Sequence, residues 1–201
     1  MGTGPVALSW EINNMTWFLM RHGEIEWNIK KVYAGWNDEG LTSAGVRQAR
    51  DAARELSNYE IDVVSCSPLR RTVQTAEIIG DVLHKKPLLA ESFKELKMGP
   101  WEGLSENEIA EKYPAAWNLW NSRPADLILE GRETLSELQA RALKGVAQIR
   151  EEYYGKSILV VSHVAVIRVL LLYCRAINLN FYKTVSVANG QVFEIADELL
   201  K

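Results

Sequence analysis

One stretch decides the fold: Thr16-Trp17-Phe18-Leu19-Met20, which is followed at once by Arg21-His22-Gly23-Glu24. A short and nearly continuous apolar run is typical of a strand that is buried on both faces of a sheet. Similar runs occur at residues 61–66 and, most clearly, at 157–162, and a helical pattern follows each of them. Strands that alternate with helices predict an α/β three-layer sandwich with a mostly parallel central sheet and helices on both faces.

The helices are predicted from apolar spacing and from the capping residues at their starts. No strong helical period follows Pro114, so the segment behind it is expected to be mixed. The predicted helices span residues 42–57, a segment after Ser67-Pro68 that reaches Leu83, 106–112, 134–153 and 163–174, and a shorter strand is predicted at 87–93.

Near the end of the chain, Asn189-Gly190 separates two short apolar runs, residues 185–188 and 191–196. Asn-Gly between two such runs is a strong signal for a β-hairpin with a two-residue turn. We therefore predict a hairpin at the edge of the sheet. Its free edge would allow pairing with a second copy, so a homodimer is one expectation.

Length and composition restrict the class of protein. A chain of 201 residues is long enough for one well-buried domain, and its formal charge of −3 argues against general nucleic-acid binding. The most apolar stretch, 158–174, is interrupted by Ser162, His163 and Arg168, so it does not predict a membrane span. The first residues lack the layout of a signal peptide, which predicts a cytoplasmic protein. We expect an N-terminal extension at 1–14 and a single domain at 15–201, with 104–132 as a lid or insertion.

Polar clusters follow three of the predicted strands. Arg21-His22 ends the first strand, Ser67 to Arg71 follows the second, and Ser162-His163 ends the strand near residue 160. Sites in open α/β sheets form beyond the carboxyl ends of the strands, so these clusters are expected to meet. Two of the chain's three histidines lie there.

These side chains suit phosphoryl transfer. A neutral imidazole is a capable nucleophile, and two guanidinium groups can neutralise a phosphate dianion and match its oxygens. Asn28 adds a neutral donor, and a helix that starts at His163 aims its backbone amides at the same point. Phosphoryl transfer asks mainly for positioning and charge stabilisation, which such a pocket would supply. The histidines share no metal-ligand spacing, so we expect neither a metal nor another cofactor.

The ordered motifs resemble the signature of the histidine phosphatase superfamily, also called the phosphoglycerate mutase-like family. Any single tetrapeptide would be weak evidence for this resemblance, but the ordered set of motifs from residue 16 to 196 is specific to the family. The matching runs are Arg21-His22-Gly23-Glu24 with Trp27-Asn28, Gly35-Trp36, Leu41-Thr42 with Gly45 and Gln48-Ala49, Ser67-Pro68-Leu69-Arg70-Arg71-Thr72, Glu95 with Gly99, Trp101-Glu102-Gly103, and Val161-Ser162-His163.

The resemblance implies a role for each matching residue. His22 is expected to be the nucleophile that becomes phosphohistidine, and Glu95 the general acid that protonates the leaving oxygen. Arg21, Arg71 and His163 are expected to bind the phosphate, with support from Asn28. In the family the pocket arginine is the fifth residue of the run that begins with the serine. Counting from Ser67 gives Arg71 and leaves Arg70 facing solvent.

Some assignments stay open on sequence alone. Glu24 and Glu102 are further acids, although each would also suit holding an arginine in place. Trp117 and Trp120 would suit either an aromatic patch that faces a substrate or the docking of a helix on the core.

Three functions are compatible with the resemblance. The leading hypothesis is a phosphomonoester hydrolase that acts on a small phosphorylated metabolite, because Trp101-Glu102-Gly103 resembles the phosphatase branch. The segment 104–132 also holds only three basic residues against five acidic ones, whereas a mutase must hold a bisphosphate. A cofactor-dependent phosphoglycerate mutase is the alternative. A non-catalytic domain that binds phospho-ligands is disfavoured, because the nucleophile, both pocket arginines and the candidate acid are all present.

Overall fold

The computed structural model describes residues 15–201, so the predicted N-terminal extension, residues 1–14, lies outside the described residues. Short 3-10 turns at Glu91–Phe93, Gly99–Trp101, Pro124–Asp126, Leu179–Thr184 and Asp197–Leu200 join the main elements. In chain order, these elements are β1 (Thr16–Arg21), α1 (Glu26–Ile29), α2 (Ser43–Leu56), β2 (Val63–Cys66), α3 (Arg70–Leu83), β3 (Leu88–Leu89), α4 (Glu106–Lys112), α5 (Pro114–Ser122), α6 (Leu135–Glu152), β4 (Ile158–Ser162), α7 (Val164–Cys174) and β5 (Val192–Ala196).

The sheet has five strands in the order β3-β2-β4-β1-β5. β1 pairs with β4, β4 with β2 and β2 with β3, all in parallel, while β5 runs antiparallel to β1 at the edge. The mostly parallel α/β architecture predicted from the sequence is confirmed.

Both faces of β1 are buried, because successive side chains of a strand point to opposite sides of the sheet. Trp17 and Leu19 join the apolar cluster that contains residues of α6 and α7. Phe18 and Met20 join a second cluster with residues of α2 and α3. This double burial explains the continuous apolar run and gives the sheet a layer of helices on each face.

The predicted helices are found close to their expected bounds. Thr42 caps α2, since its hydroxyl oxygen accepts a hydrogen bond from the amide of Gly45 at 3.0 Å. Two helices were not predicted. One is the short α1, and the other is α5, which begins at Pro114 although no helical period follows that residue in the sequence. Proline is favoured in the first turn of a helix, because the N–H groups of that turn have no acceptor within the helix and the absence of one costs no hydrogen bond. Within residues 15–201, no helix has the length and apolar character needed to cross a membrane.

The predicted edge hairpin is wrong. Residues 185–188 form no strand, and β5 pairs with β1 instead. The carbonyl of Val185 accepts a hydrogen bond from Arg168 Nε at 2.8 Å, and that of Val187 accepts one from Arg21 Nη1 at 2.6 Å. Because side chains take these carbonyls, the segment crosses the end of the sheet rather than adding a strand to it.

The strand predicted at 87–93 is shorter than expected, since only Leu88–Leu89 pairs with β2. A 3-10 turn follows, and one guanidinium nitrogen of Arg141 donates to the carbonyls of Ser92 and Lys94 at 2.8 and 2.9 Å. The chain is thereby turned away from the sheet and toward the ends of its strands.

Candidate active site

The carboxyl ends of β1, β2 and β4 meet at one edge of the sheet, where a cavity of about 340 Å³ opens. Five of the six predicted site residues line it: Arg21, His22, Asn28, Arg71 and Glu95. The sixth, His163, lies immediately behind them, with its ring centroid 5.2 Å from that of His22.

His22 is held in one tautomer. Its Nδ1 lies 2.7 Å from the carbonyl oxygen of Gly23, and a carbonyl can only accept, so Nδ1 carries the proton. Nε2 is then the nitrogen with a lone pair. The pKa of His22 is lowered well below its ordinary value by burial and by the charges of Arg71 and Arg21. The ring is therefore neutral at neutral pH, which is the state that a nucleophile requires.

The loop after β1 is fixed by close backbone packing. A Cβ atom on Gly23 would lie 2.4 Å from the carbonyl oxygen of Gly45 in α2, so no larger residue fits there. The amide of Gly23 donates to the hydroxyl of Thr75 at 3.1 Å. These contacts set the position of the carbonyl that orients His22.

Arg71 is fully buried in the first turn of α3. Its Nη1 donates to the carbonyl of Asn37 at 2.6 Å and its Nη2 to that of Gly35 at 2.7 Å. A guanidinium has five N–H groups, so donors remain for a ligand in the cavity. The neighbouring Arg70 is exposed, as the spacing from Ser67 predicted.

His163 holds Arg71 from the side of β4. Arg71 Nε lies 3.3 Å from His163 Nδ1, and an arginine can only donate, so Nδ1 accepts and Nε2 carries the proton. That Nε2 lies 2.8 Å from the hydroxyl oxygen of Ser67. Burial, then Arg71, lowers the pKa of His163 well below its ordinary value, so this ring is also neutral. His163 was expected to bind the phosphate. In the structure it does not line the cavity but lies behind Arg71, and both of its ring nitrogens are hydrogen-bonded to protein groups.

Arg21 has an unused donor. Its Nη1 donates to Val187, but its buried Nε has no hydrogen-bond partner among the described residues. A buried N–H without a partner costs free energy, which a bound anion in the cavity would recover.

Asn28 is oriented by a residue that the sequence analysis treated only as part of a turn. Asn189 Nδ2 donates to Asn28 Oδ1 at 3.0 Å and lies 3.1 Å from the carbonyl oxygen of His22. Because the oxygen of Asn28 is bound to Asn189, its Nδ2 is the end of the amide left for a ligand. The only sequence feature that drew attention to Asn189 was the Asn189-Gly190 pair, and that pair predicted a hairpin rather than a contact with Asn28.

Glu95 is buried in the cavity wall, and its Oε1 accepts from the amide of Leu96 at 2.8 Å. Burial raises its pKa, against the opposing effects of that hydrogen bond and of Arg71 and Arg21. The two other acids named from the sequence do not line the cavity. Glu24 accepts a hydrogen bond from the hydroxyl of Thr42, and Glu102 accepts one from the amide of Trp36. Among the described residues, neither carboxylate forms an ion pair with an arginine.

The rest of the cavity lining comes from residues far apart in sequence. Its walls include Tyr33, Trp120 and Tyr182, and its charged residues are Arg168, Lys183 and Glu106. None of these three charged residues was identified as a site residue from the sequence. Arg168 could have been recognised from the sequence, because it is a charged residue inside the otherwise apolar helix α7.

The two tryptophans of α5, Trp117 and Trp120, differ in what they contact. Trp120 packs on Trp101 and Tyr182, with ring centroids 6.1 and 5.2 Å away, and it also lines the cavity. The packing confirms that Trp120 docks α5 on the core, while a substrate-facing role for this residue stays a prediction. Trp117 packs on Trp101 and does not line the cavity.

Residues 17–197 match a family model described as the histidine phosphatase superfamily (branch 1). The chain is 36% identical to the "Uncharacterized phosphatase PhoE" of Bacillus subtilis over 76% of this chain and 74% of the relative. It is 32% identical to "Phosphoserine phosphatase 1" of Hydrogenobacter thermophilus, over 82% and 77% of the two chains. Other relatives are named 2,3-bisphosphoglycerate-dependent phosphoglycerate mutases.

A solved structure named "Bacillus stearothermophilus YhfR" superposes with a TM-score of 0.85 and 27% identity, and covers 90% of each chain. Fold, motifs and matched length agree. The chain belongs to branch 1 of the histidine phosphatase superfamily.

Proposed function

We propose that this chain is a phosphomonoester hydrolase that acts on a small phosphorylated metabolite through a phosphohistidine at His22. The observation that carries the proposal is the hydrogen bond from His22 Nδ1 to Gly23, at 2.7 Å, in a buried site that keeps the ring neutral. It leaves the lone pair on Nε2 of a ring that lines the same cavity as Arg21, Arg71 and the carboxyl group of Glu95.

In the first step, His22 Nε2 attacks phosphorus and the bond to the ester oxygen breaks. Arg21 and Arg71 bind the phosphoryl oxygens, and Asn28 donates to one of them. Glu95 gives its proton to the departing alkoxide, which leaves as an alcohol. The raised pKa of Glu95 favours the protonated form that this step needs.

In the second step, water attacks the phosphorus and the bond to Nε2 breaks. Glu95, now ionised, accepts a proton from that water, so inorganic phosphate and the free enzyme are formed. His163 keeps the guanidinium of Arg71 in place through both steps, supported by Ser67.

The same proposal includes independence from metal ions. Within residues 15–201, no three His, Cys, Asp or Glu side chains form a group suited to hold a metal ion. Charge stabilisation of the phosphoryl group is assigned instead to the two arginines. A homodimer and a cytoplasmic location stay predictions from the sequence.

The alternative is a phosphoglycerate mutase, favoured by the relatives that carry that name. One experiment separates the two. Phosphate release is measured over a panel of phosphorylated metabolites, beside interconversion of 2- and 3-phosphoglycerate with and without 2,3-bisphosphoglycerate. The proposal predicts phosphate release with little interconversion. Rapid interconversion that depends on the bisphosphate, with negligible phosphate release, would favour the mutase.

A further inference from the structure

One β-turn holds the guanidinium of Arg71 through its backbone. The amide of Asn37 donates to the carbonyl of Ala34 at 2.9 Å, which closes a turn over residues 34–37. Gly35, the first central residue of this turn, has a φ of +48°, a conformation that favours glycine. The turn directs the carbonyls of Gly35 and Asn37 at Arg71, which donates to them at 2.7 and 2.6 Å.

The other central residue of the turn, Trp36, contacts a different part of the site. Its indole Nε1 donates to the backbone carbonyl of Glu95 at 2.7 Å. Its backbone amide donates to Glu102 Oε2 at 3.0 Å, and this contact holds the turn in place. One turn therefore contacts Arg71 through its backbone and the segment that carries Glu95 through a side chain.

The indole ring of Trp36 is packed against that same segment. Lys94 Nζ lies 4.6 Å from the centre of the ring, and Lys97 Nζ lies 5.8 Å from it. A cation over the face of a tryptophan is attracted by the ring electrons. Both lysines belong to the segment around Glu95, so they keep the indole beside the carbonyl to which it donates.

The peptide unit between Glu95 and Leu96 links this contact to the carboxyl group. Its carbonyl accepts from Trp36 and also from Arg141 Nη2 at 3.2 Å, so both lone pairs of the oxygen are used. Its amide, that of Leu96, donates to Glu95 Oε1 at 2.8 Å. A peptide unit is planar. Fixing its carbonyl therefore also fixes the direction of the amide that orients the carboxyl group.

We propose that Trp36 is a positioning residue for Glu95, which it holds through the peptide unit that orients the acid. The proposal rests on the proposed function, in which Glu95 gives a proton to the leaving oxygen. Trp36 does not line the cavity, so its effect passes through Glu95 and is confined to steps that need this carboxyl group. It gives a role to the Gly35-Trp36 motif, which the sequence left without one.

Two aryl esters isolate the step in which the leaving oxygen takes a proton. Phenyl phosphate and p-nitrophenyl phosphate differ by one nitro group, which makes the leaving oxygen of the second ester much less basic. A general acid is therefore needed mainly for phenyl phosphate. The measured quantity is the ratio of the single-turnover rates of phenol release, phenyl over p-nitrophenyl phosphate. Both esters meet the same preparation, so any loss of folded enzyme cancels in this ratio.

Trp36→Phe keeps an aromatic face beneath the two lysines and removes the N–H donor. We expect it to lower the ratio by about tenfold, a part of the roughly 100- to 10,000-fold that a positioned acid contributes. Tyr59→Phe is the matched control, because it also removes a polar group from a ring of similar exposure, 43% against 39% for Trp36. Tyr59 lies just before β2, at the end of the sheet opposite the cavity, so this variant should leave the ratio unchanged.

A double variant tests whether Trp36 acts through Glu95. Glu95→Gln alone should lower the ratio further than Trp36→Phe does, because it removes the acid itself. Adding Trp36→Phe to Glu95→Gln should then leave the ratio where the single Glu95→Gln variant sets it. A residue that acts only through the acid has no effect on this step once the acid is gone.

The outcomes separate the proposal from the function on which it rests. A ratio that Glu95→Gln leaves unchanged, or a wild-type protein that is phosphorylated by neither ester, contradicts the proposed function. Where Glu95→Gln does lower the ratio, an unchanged ratio in Trp36→Phe overturns the positioning role alone. Equal losses with both esters in Trp36→Phe would assign the residue to Arg71 or to the fold and would likewise overturn it, as would a further fall of the ratio in the double variant.

Discussion

Arg71 Nε donates to His163 Nδ1 over 3.3 Å, and this contact joins the first turn of α3 to the start of α7. Its consequence is that a buried guanidinium is fixed on three sides, by two backbone carbonyls and one imidazole. The proton on the far nitrogen of His163 is in turn held by Ser67. The position of the arginine thus depends on residues from three parts of the chain.

Arg71→Ala is expected to reduce kcat/KM far more than Arg70→Ala, because Arg71 lines the cavity and Arg70 is exposed. The loss should correspond to about 2–5 kcal/mol, as for the removal of one partner from a buried charged contact. Steady-state kinetics on the same ester measure both variants. Equal and mild effects at the two positions would show that Arg71 does not bind the phosphate.

Asn189→Ala should weaken phosphate binding although Asn189 does not line the main cavity, because it orients the amide of Asn28. We expect inhibition by inorganic phosphate to weaken by about tenfold, and the effects of Asn28→Ala and Asn189→Ala to be non-additive. Asn58→Ala, at an exposed site in another part of the chain, is the matched control. Full additivity in the double variant would mean that Asn189 acts independently of Asn28.

The pH profile follows from two shifted pKa values. His22 has a pKa below its ordinary 6.5, so it stays neutral as the pH falls below that value. Glu95 has a pKa above its ordinary 4.5 and must be protonated, so activity declines as the pH rises through that raised pKa. A pH profile of kcat/KM is therefore expected to show an alkaline decline through the raised pKa of Glu95, above pH 4.5, and an acid limit set by His22 that lies below pH 6.5.

Glu95→Gln is expected to remove the alkaline limb, since an amide does not titrate. It should slow phosphorylation by alkyl phosphates about 100-fold or more, while p-nitrophenyl phosphate, whose leaving group needs no proton, is largely spared. Single-turnover kinetics isolate this step from the later attack by water. Equal losses with both substrates would exclude Glu95 as the acid for the leaving group.

Activity should survive exhaustive treatment with EDTA, because the phosphoryl charge is assigned to Arg21 and Arg71. Phosphate release before and after chelation measures this, with a metal-dependent phosphatase as the positive control for metal removal. A loss of activity that a divalent cation restores would contradict the metal-independent mechanism.

The central fold was predictable because its signals are local. Trp17 to Met20 and Ile158 to Val161 are apolar at every position, and a short continuous run of this kind is typical of a strand with two covered faces. The predicted edge hairpin is wrong: the carbonyls of Val187 and Val185 accept hydrogen bonds from the side chains of Arg21 and Arg168, which are 166 and 17 residues away. A turn signal such as Asn189-Gly190 contains no information about these contacts.

The site residues likewise fall into those that the sequence identifies and those that only the fold brings together. The residues proposed to bind the phosphate follow strand ends or occur in ordered motifs, so a single sequence identifies them as candidates. Tyr33, Glu106, Trp120, Arg168 and Lys183 line the same cavity but come from separate parts of the chain, and only the fold brings them together. The position of His163 behind Arg71 likewise depends on a hydrogen bond across 92 residues of chain.

The most direct test of the mechanism is to trap the intermediate on His22. Wild-type protein is mixed with a phosphorus-labelled ester, quenched within milliseconds, and digested for mass spectrometry, with His22→Ala treated in parallel. The account predicts an acid-labile, base-stable phosphoryl group on the peptide that contains His22, and no label in the folded variant. Label on another residue, or substantial turnover by folded His22→Ala protein, would contradict it.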